Sequence, residues 1–221
     1  MSLKLMGRKR GMMQRFDKDG NVIVCTVIEA PANVITQIKT RETDGYEAVQ
    51  SSFELVVAPD ERTVARRVGK PQMGHFGKAG VAPRRFLIES KGEGVEGKSV
   101  GDELTVSLFE EGAYVDVMGV TKGKGYQGGM KLHGFSGGPA AHGSGFHRHV
   151  GSTGMRSTPG RCFPGGKRAS QMGRRRSTVQ NLKVVGVDAT RGIILLSGAV
   201  PGYDGALVVL SAAIKQKKKA K

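Results

Sequence analysis

Apolar residues fall in short runs separated by turn chemistry along this chain. The run Val22-Ile23-Val24-Cys25-Thr26-Val27-Ile28 predicts a buried strand, entered from the turn Asp17-Lys18-Asp19-Gly20. Pro31-Ala32-Asn33 breaks the chain, and Val34-Ile35-Thr36-Gln37-Ile38 then alternates as a second strand. Asp44-Gly45 leads into a third run from Tyr46 to Leu55. From Asp60 to about Gly80 the alternation stops, and the segment reads as an inserted, basic, partly helical excursion over about 60–82. Strand patterns return at Arg85-Phe86-Leu87-Ile88-Glu89, from Leu104 to Phe109 behind Gly101-Asp102, and over Tyr114–Val120. After a long gap, Ser177–Val187 and Ile193–Ser197 flank Asp188-Ala189-Thr190-Arg191-Gly192 as a hairpin, and Leu207–Leu210 is the last strand. Short strands at this spacing predict a barrel or a sandwich rather than βαβ units.

The gap is a different kind of sequence. Residues 122–176 hold fifteen glycines and no apolar periodicity, and four of the five histidines of the chain fall there. Between Asp116 and Asp188 no acidic residue occurs, where average composition would place roughly six. Lysine and arginine crowd the same stretch. A loop of this length without structure of its own is foreign to a compact domain. It is either a disordered basic linker or a segment ordered by something outside the chain. Phe135, Phe146 and Phe163, with Pro139, Pro159 and Pro164, set it apart from a plain flexible linker. The expected organisation is therefore one β domain made of 1–121 and 177–214, interrupted by an extended loop over 122–176 and closed by a basic tail at 215–221.

Charge bears on partners rather than fold. The 221 residues carry 35 Lys and Arg against 19 Asp and Glu, a formal charge of +16, which points to a polyanion, nucleic acid before membrane. Aromatic residues make up 5% and tryptophan is absent, so stacking on single-stranded bases is not the expected main mode. Cys25 and Cys162 are far apart and form no C-x-x-C, which argues for two free thiols in a reducing cytoplasm. No run approaches the roughly 20 apolar residues of a membrane span, and Met1–Gly11 has no apolar core of a secretion signal; a soluble, cytoplasmic protein is expected.

Several motifs of enzyme chemistry come close and fail. Gly123-Lys124-Gly125-Tyr126-Gln127-Gly128 satisfies G-x-G-x-x-G behind a strand. A dinucleotide site, however, needs a helix at that point and an acid about 20 residues later, whereas the next acid is Asp188. Gly160 and Gly166-Lys167 stand one residue too far apart for a P-loop, and Arg168 occupies the place of the magnesium-holding Ser or Thr. His147 and His149 lack a nearby carboxylate and sit among positive charges, which opposes a metal ion. Cys162 with a histidine lacks an acid to orient the base. Glycine beside arginine has a coherent alternative reading. Glycine lets the backbone approach a phosphate closely, arginine forks onto phosphate oxygens, and the absence of carboxylates removes repulsion from the polyanion.

A set of longer motifs then appears in order. Gly7-Arg8-Lys9-Arg10-Gly11-Met12, followed by Phe16 and Asp19-Gly20, looks like a G-x-K-x-G-M-T signature with Met13 in place of threonine. Lys70-Pro71-Gln72-Met73-Gly74-His75-Phe76-Gly77-Lys78-Ala79-Gly80 follows, then Thr121-Lys122-Gly123-Lys124-Gly125-Tyr126-Gln127-Gly128 and His142-Gly143-Ser144 with His149. Gly151-Ser152 through Thr158-Pro159-Gly160, Ala169-Ser170-Gln171-Met172-Gly173 and Gly198-Ala199-Val200-Pro201-Gly202 complete the series. Together these resemble, over essentially the full chain, the bacterial-type ribosomal protein L-three family of the large subunit.

The resemblance implies a mainly β protein. Its expected form is a Greek-key β-barrel of the translation-protein type, with a small partly helical insertion and a long irregular Gly/Arg/His-rich extension. It implies no enzyme, no cofactor, no metal and no small-molecule substrate. The expected role is structural: binding near the 3′ end of the 23S rRNA, nucleating subunit assembly, and reaching toward the peptidyl-transferase centre. Expected partners are that rRNA and neighbouring large-subunit proteins, with no membrane and no stable homo-oligomer. The candidate rRNA contacts are Lys4, Arg8, Lys9 and Arg10 near the N-terminus. In the extension they are Lys122, Lys124, Lys131, His133, His142, Arg148, His149, Arg161, Lys167, Arg168, Arg174, Arg175 and Arg176. The tip nearest the catalytic centre would be Gly151, Ser152, Thr153, Gly154, Met155, Arg156, Ser157, Thr158, Pro159 and Gly160. Many bacterial members carry glutamines in this tip, one of them N-methylated. This chain has none there, so no such modification is expected.

Overall fold

The computed structural model describes residues 3–57, 60–91 and 97–215, with Glu61 described by its backbone only. Of the expected basic tail, residues 216–221 lie outside the described residues. The chain is mainly β and divides into two compact units, 1–120 with 176–221, and 121–175.

In the first unit, six strands close into a barrel by antiparallel pairing. They are β1 (Leu5–Phe16), β2 (Val22–Glu29), β7 (Tyr114–Val120), β10 (Arg176–Asp188), β11 (Ile193–Ser197) and β12 (Leu207–Ala212), in the order β1-β12-β7-β10-β11-β2. A second sheet of four strands has the order β5-β4-β3-β6, built from β3 (Asn33–Lys39), β4 (Ala48–Leu55), β5 (Arg84–Lys91) and the two-residue β6 (Glu103–Leu104). One apolar cluster serves both sheets: Leu5, Ile28, Val115, Val117, Ile194, Leu196, Val208 and Leu210 from the barrel meet Ile35, Val49 and Leu104 from the second sheet. Burial of these side chains is the main stabilising term, roughly 1.5–3 kcal/mol each.

Buried polar groups fasten the second sheet to the barrel and the barrel strands to one another. The Asn33 amide accepts from Met6 N and donates to Met6 O and Pro31 O, which fixes the start of β3 against β1. In β7 the buried Asp116 carboxylate accepts from the backbone N–H of Asn181 at 2.9 Å and of Ile214 at 3.3 Å. Asn181 has φ +58 and lies where the β10–β7 register shifts, so the carboxylate meets the N–H that a bulge leaves without a ladder partner. Gly7 is required by close approach, because a Cβ there would stand 2.8 Å from both Glu29 O and Ile28 Cγ2.

A single turn, α1 (Arg41–Asp44), joins β3 to β4, and between β4 and β5 the chain forms α2 (Glu61–Val68) and α3 (Lys70–Ala79). Asp60 caps α2 by accepting from Thr63 N, and the Thr63 hydroxyl, followed by that N–H, holds its carboxyl below the ordinary value. Gly69, at φ +82, separates the two helices. Phe76 of α3 is buried, and His75 Nε2 lies 2.7 Å from Gln50 Oε1.

Two stretches differ from the hydrophobic pattern. Leu104–Phe109 reads as a strand, yet only Glu103–Leu104 pairs, and Val106–Leu108 forms a 3-10 turn. The Thr105 and Ser107 hydroxyls bond each other there, and the Phe109 N–H turns back to Val106 O. β1 has no recognisable apolar alternation, yet it is a central strand. Its Lys9 is buried, with the ammonium donating to Val200 O at 3.1 Å and Gly202 O at 3.2 Å.

Candidate nucleic-acid interface

The second unit, residues 121–175, begins as a two-stranded stalk. Thr121 N donates to Arg175 O, Arg174 N to Thr121 O, and Lys124 N to Met172 O. β8 (Gly125–Gln127) continues this by pairing antiparallel with β9 (Ser170–Met172). The stalk depends on a close approach at Gly173, which has φ +77. A Cβ at that position would overlap the Lys122 carbonyl oxygen, so no other residue fits.

Above the stalk the chain makes one helical turn, α4 (Gly129–His133), and then runs without regular structure to Ala169. Ring contacts replace a core. Phe135 lies against Gly129, where a Cβ would meet the ring at 2.7 Å, and Phe146 lies against Gly138 in the same way. His133 stands 5.9 Å from Phe135, and His149 stands 5.6 Å from Phe146. Gly138 N donates to His147 O, which ties the two halves of the loop together. Gly129 is the single buried residue of the unit. This is very little apolar burial for 55 residues.

The electrostatics are one-sided. The unit has ten Lys and Arg and no carboxylate, so no internal ion pair is possible. Lys122, Lys124, Lys131, Arg148, Arg161, Lys167, Arg168, Arg174 and Arg175 are all exposed. Arg161 sits over the Phe163 ring at 5.9 Å, at the outer limit of a cation–π contact. His142 and His149 are exposed, whereas His133 is half-buried and donates from Nε2 to Arg168 O at 2.9 Å. All ten residues from Gly151 to Gly160 are exposed, Met155 by 77%. At this tip Ser152 Oγ donates to Gly154 O and accepts from Gly154 N, a small turn that presents Met155 and Arg156.

The N-terminal candidates are placed differently. Lys9 is buried on two carbonyls, as described. Lys4 is half-buried and donates from Nζ to Glu89 O at 2.9 Å. Arg8 is bonded to Glu54 and to Gly205 O, and its guanidinium covers the Phe86 ring at 5.2 Å. Arg10 is exposed and paired with Glu29. Arg176, the first residue of β10, is exposed opposite Val120. Lys4, Arg8 and Lys9 are therefore engaged in holding β1, and Arg10 and Arg176 are the cations of this group that face solvent. The helical insertion adds exposed cations that motif reading did not single out, among them Arg62, Arg66 and Arg67. The signal available for them was the basic composition of the excursion.

Among the described residues, no helix is long and apolar enough to cross a membrane. The sequence model of the family Ribosomal protein L3 matches residues 98–192. A Large ribosomal subunit protein uL3 from Protochlamydia amoebophila is 57% identical over 219 residues, 99% of this chain and 93% of the relative. Proteins of the same name are 53% identical in Chlamydia trachomatis serovar D and 51% identical in Chlamydia pneumoniae, each over 210 residues, 94% of this chain and 95% of the relative.

Proposed function

We propose a function from one premise, that the chain belongs to the uL3 family of large ribosomal subunit proteins: it is an rRNA-binding architectural protein of that subunit. The reading carries with it a barrel of the Greek-key, translation-protein type as the docking body, held near the 3′ end of the 23S rRNA. It makes 121–175 the segment that enters the RNA and reaches toward the peptidyl-transferase centre, with Gly151–Gly160 as its tip. Binding there early would nucleate subunit assembly in the cytoplasm, beside neighbouring large-subunit proteins. The role is structural, without a catalytic residue, cofactor or small-molecule substrate.

One observation carries this reading. The extension combines exposed cations, no carboxylate and almost no core. Such a segment gains its order from phosphate contacts and released counterions. Exposed arginines fork onto phosphate oxygens, lysines act as point charges, and glycines allow the backbone to lie close to the RNA. Gly123, Gly125 and Gly128 belong to the stalk rather than to a nucleotide site. The test is a salt titration of the full chain on a 3′-domain fragment of large-subunit rRNA, with duplex DNA and tRNA as competitors. Binding that survives excess competitor at about 0.2–0.3 M salt supports the reading. Equal collapse on all three polyanions contradicts it and leaves a generic basic protein.

A further inference from the structure

The outer half of the β1–β2 hairpin is apolar, exposed and poor in positive charge. β12 pairs with β1 only from Leu5 to Arg8, and β11 pairs with β2 only from Cys25 to Glu29. Beyond those points the described structure gives the hairpin no third strand. A two-stranded ribbon is marginal in water by itself. Its register sets Met12 opposite Thr26, Gln14 opposite Val24 and Phe16 opposite Val22, so these side chains share one face. On that face Met12 is 51% exposed, Phe16 68%, Val22 54% and Val24 46%, and it carries no charged residue. On the opposite face Met13 overlooks a groove of about 610 Å³ on the barrel wall, lined by Val27, Ile193 and Leu195 and by the carboxylates of Glu111 and Asp188.

Charge selects the occupant. The turn carries Asp17 and Asp19, and with Glu111 and Asp188 they outnumber Arg15, Lys18 and Arg191 of the same region. In a chain of net charge +16 this is a locally reversed balance. Phosphates are repelled by the acidic turn and find no cation on the apolar face. A protein surface with an apolar centre and a rim of Lys and Arg matches both features. We infer that the β1–β2 hairpin is a protein-docking element that inserts its apolar outer half into a basic-rimmed surface of another large-subunit protein. This rests on the ribosomal reading above and assigns the hairpin a partner of a different class from the extension.

The test uses the full chain in large subunits isolated from cells that express it with an affinity tag. A photoreactive benzoylphenylalanine replaces Phe16 in one preparation and Tyr126 of the stalk in another; both positions are exposed, so folding is undisturbed. After irradiation the adducts are mapped by mass spectrometry and primer extension. The expected result at position 16 is an adduct with another subunit protein, on an apolar peptide flanked by Lys or Arg. Asp17→Lys with Asp19→Lys is expected to lower its yield by about fivefold or more through like-charge juxtaposition. Position 126 is expected to label rRNA. An rRNA adduct at position 16, an adduct with a second copy of this chain, no adduct in assembled particles, or a yield unmoved by the double Lys variant overturns the inference while the Tyr126 probe still reports on the ribosomal reading. Absence of the chain from large subunits overturns both.

Discussion

In the first unit, strands bury Leu, Ile and Val on a shared core, and cations have partners: Lys9 of β1 on two carbonyls, Arg8 of β1 on Glu54, and Lys39 of β3 on Glu89 and Tyr46. In the extension one glycine is buried, no carboxylate exists, and nine lysines and arginines other than Arg156 point to solvent without an internal counter-charge. The same residue type therefore does different work in the two units. A cation with a carbonyl or carboxylate partner holds a strand in place, whereas a cation without one is available to a polyanion. The barrel is specified by its own side chains. The extension is specified by glycine contacts and, in our reading, by the RNA around it.

The sharpest way to separate the two regions is to remove apolar volume from each. Leu196→Ala in the barrel core should cost about 2–5 kcal/mol in chemical denaturation. Phe163→Ala, at an exposed site of the extension, should stay within about 0.5 kcal/mol. Equal losses would show that the extension has a core of its own. Replacing Arg174, Arg175 and Arg176 together with alanine should leave the melting temperature unchanged and flatten the salt dependence of rRNA binding by about 2–3 units of log–log slope. An unchanged slope would remove these residues from the interface. Gly173→Ala should open the stalk, at a local cost of about 1–3 kcal/mol, and speed amide exchange at Lys124 and Arg174 while barrel amides keep their protection. Retained protection at both amides would show that the stalk tolerates a Cβ.

The smallest expected effect lies in the second sheet. The Lys39 ammonium holds the Glu89 carboxyl below its ordinary value of 4.5, with a lesser contribution from the Tyr46 hydroxyl. Glu89 in turn raises Lys39. A depressed carboxyl stabilises the fold above its ordinary pKa and loses that contribution as pH falls through the depressed value. The window therefore opens below about pH 4.5. Glu89→Gln should flatten the acid limb of the stability profile there, because at pH 7 it already lacks the small contribution that the parent chain loses on acidification. An acid limb identical to that of the parent chain would show that the pair adds nothing in solution.

Much of the β framework was legible from alternation. The runs at Val22, Val34, Tyr114, Ile193 and Leu207 are strands, the run read from Tyr46 becomes a strand from Ala48, and the break at Asp60 is helical. β1 was not legible, because Arg8, Lys9, Arg10 and two glycines hide a strand whose buried lysine is satisfied by carbonyls about 190 residues away. The Leu104–Phe109 stretch misled because Thr105 and Ser107 offered the backbone a tighter turn. In the candidate site, the absence of acids and of apolar periodicity over 122–176 was plain from the sequence. Which cations are engaged was not, since Arg8 meets Glu54 and Lys4 meets Glu89 O only after folding. The pairing of β8 with β9 rests on three residues from each side, too short for any pattern.

The central claim is that the extension owes its order to rRNA while the barrel owes its order to itself. Amide hydrogen exchange of the full chain, free and bound to the 3′-domain rRNA fragment, tests this directly. The account predicts strong protection of the barrel strands in both states, and rapid exchange over residues 135–168 in the free chain that slows markedly on binding. Strong protection of 135–168 without RNA, or no gain in protection when RNA is bound, would contradict it.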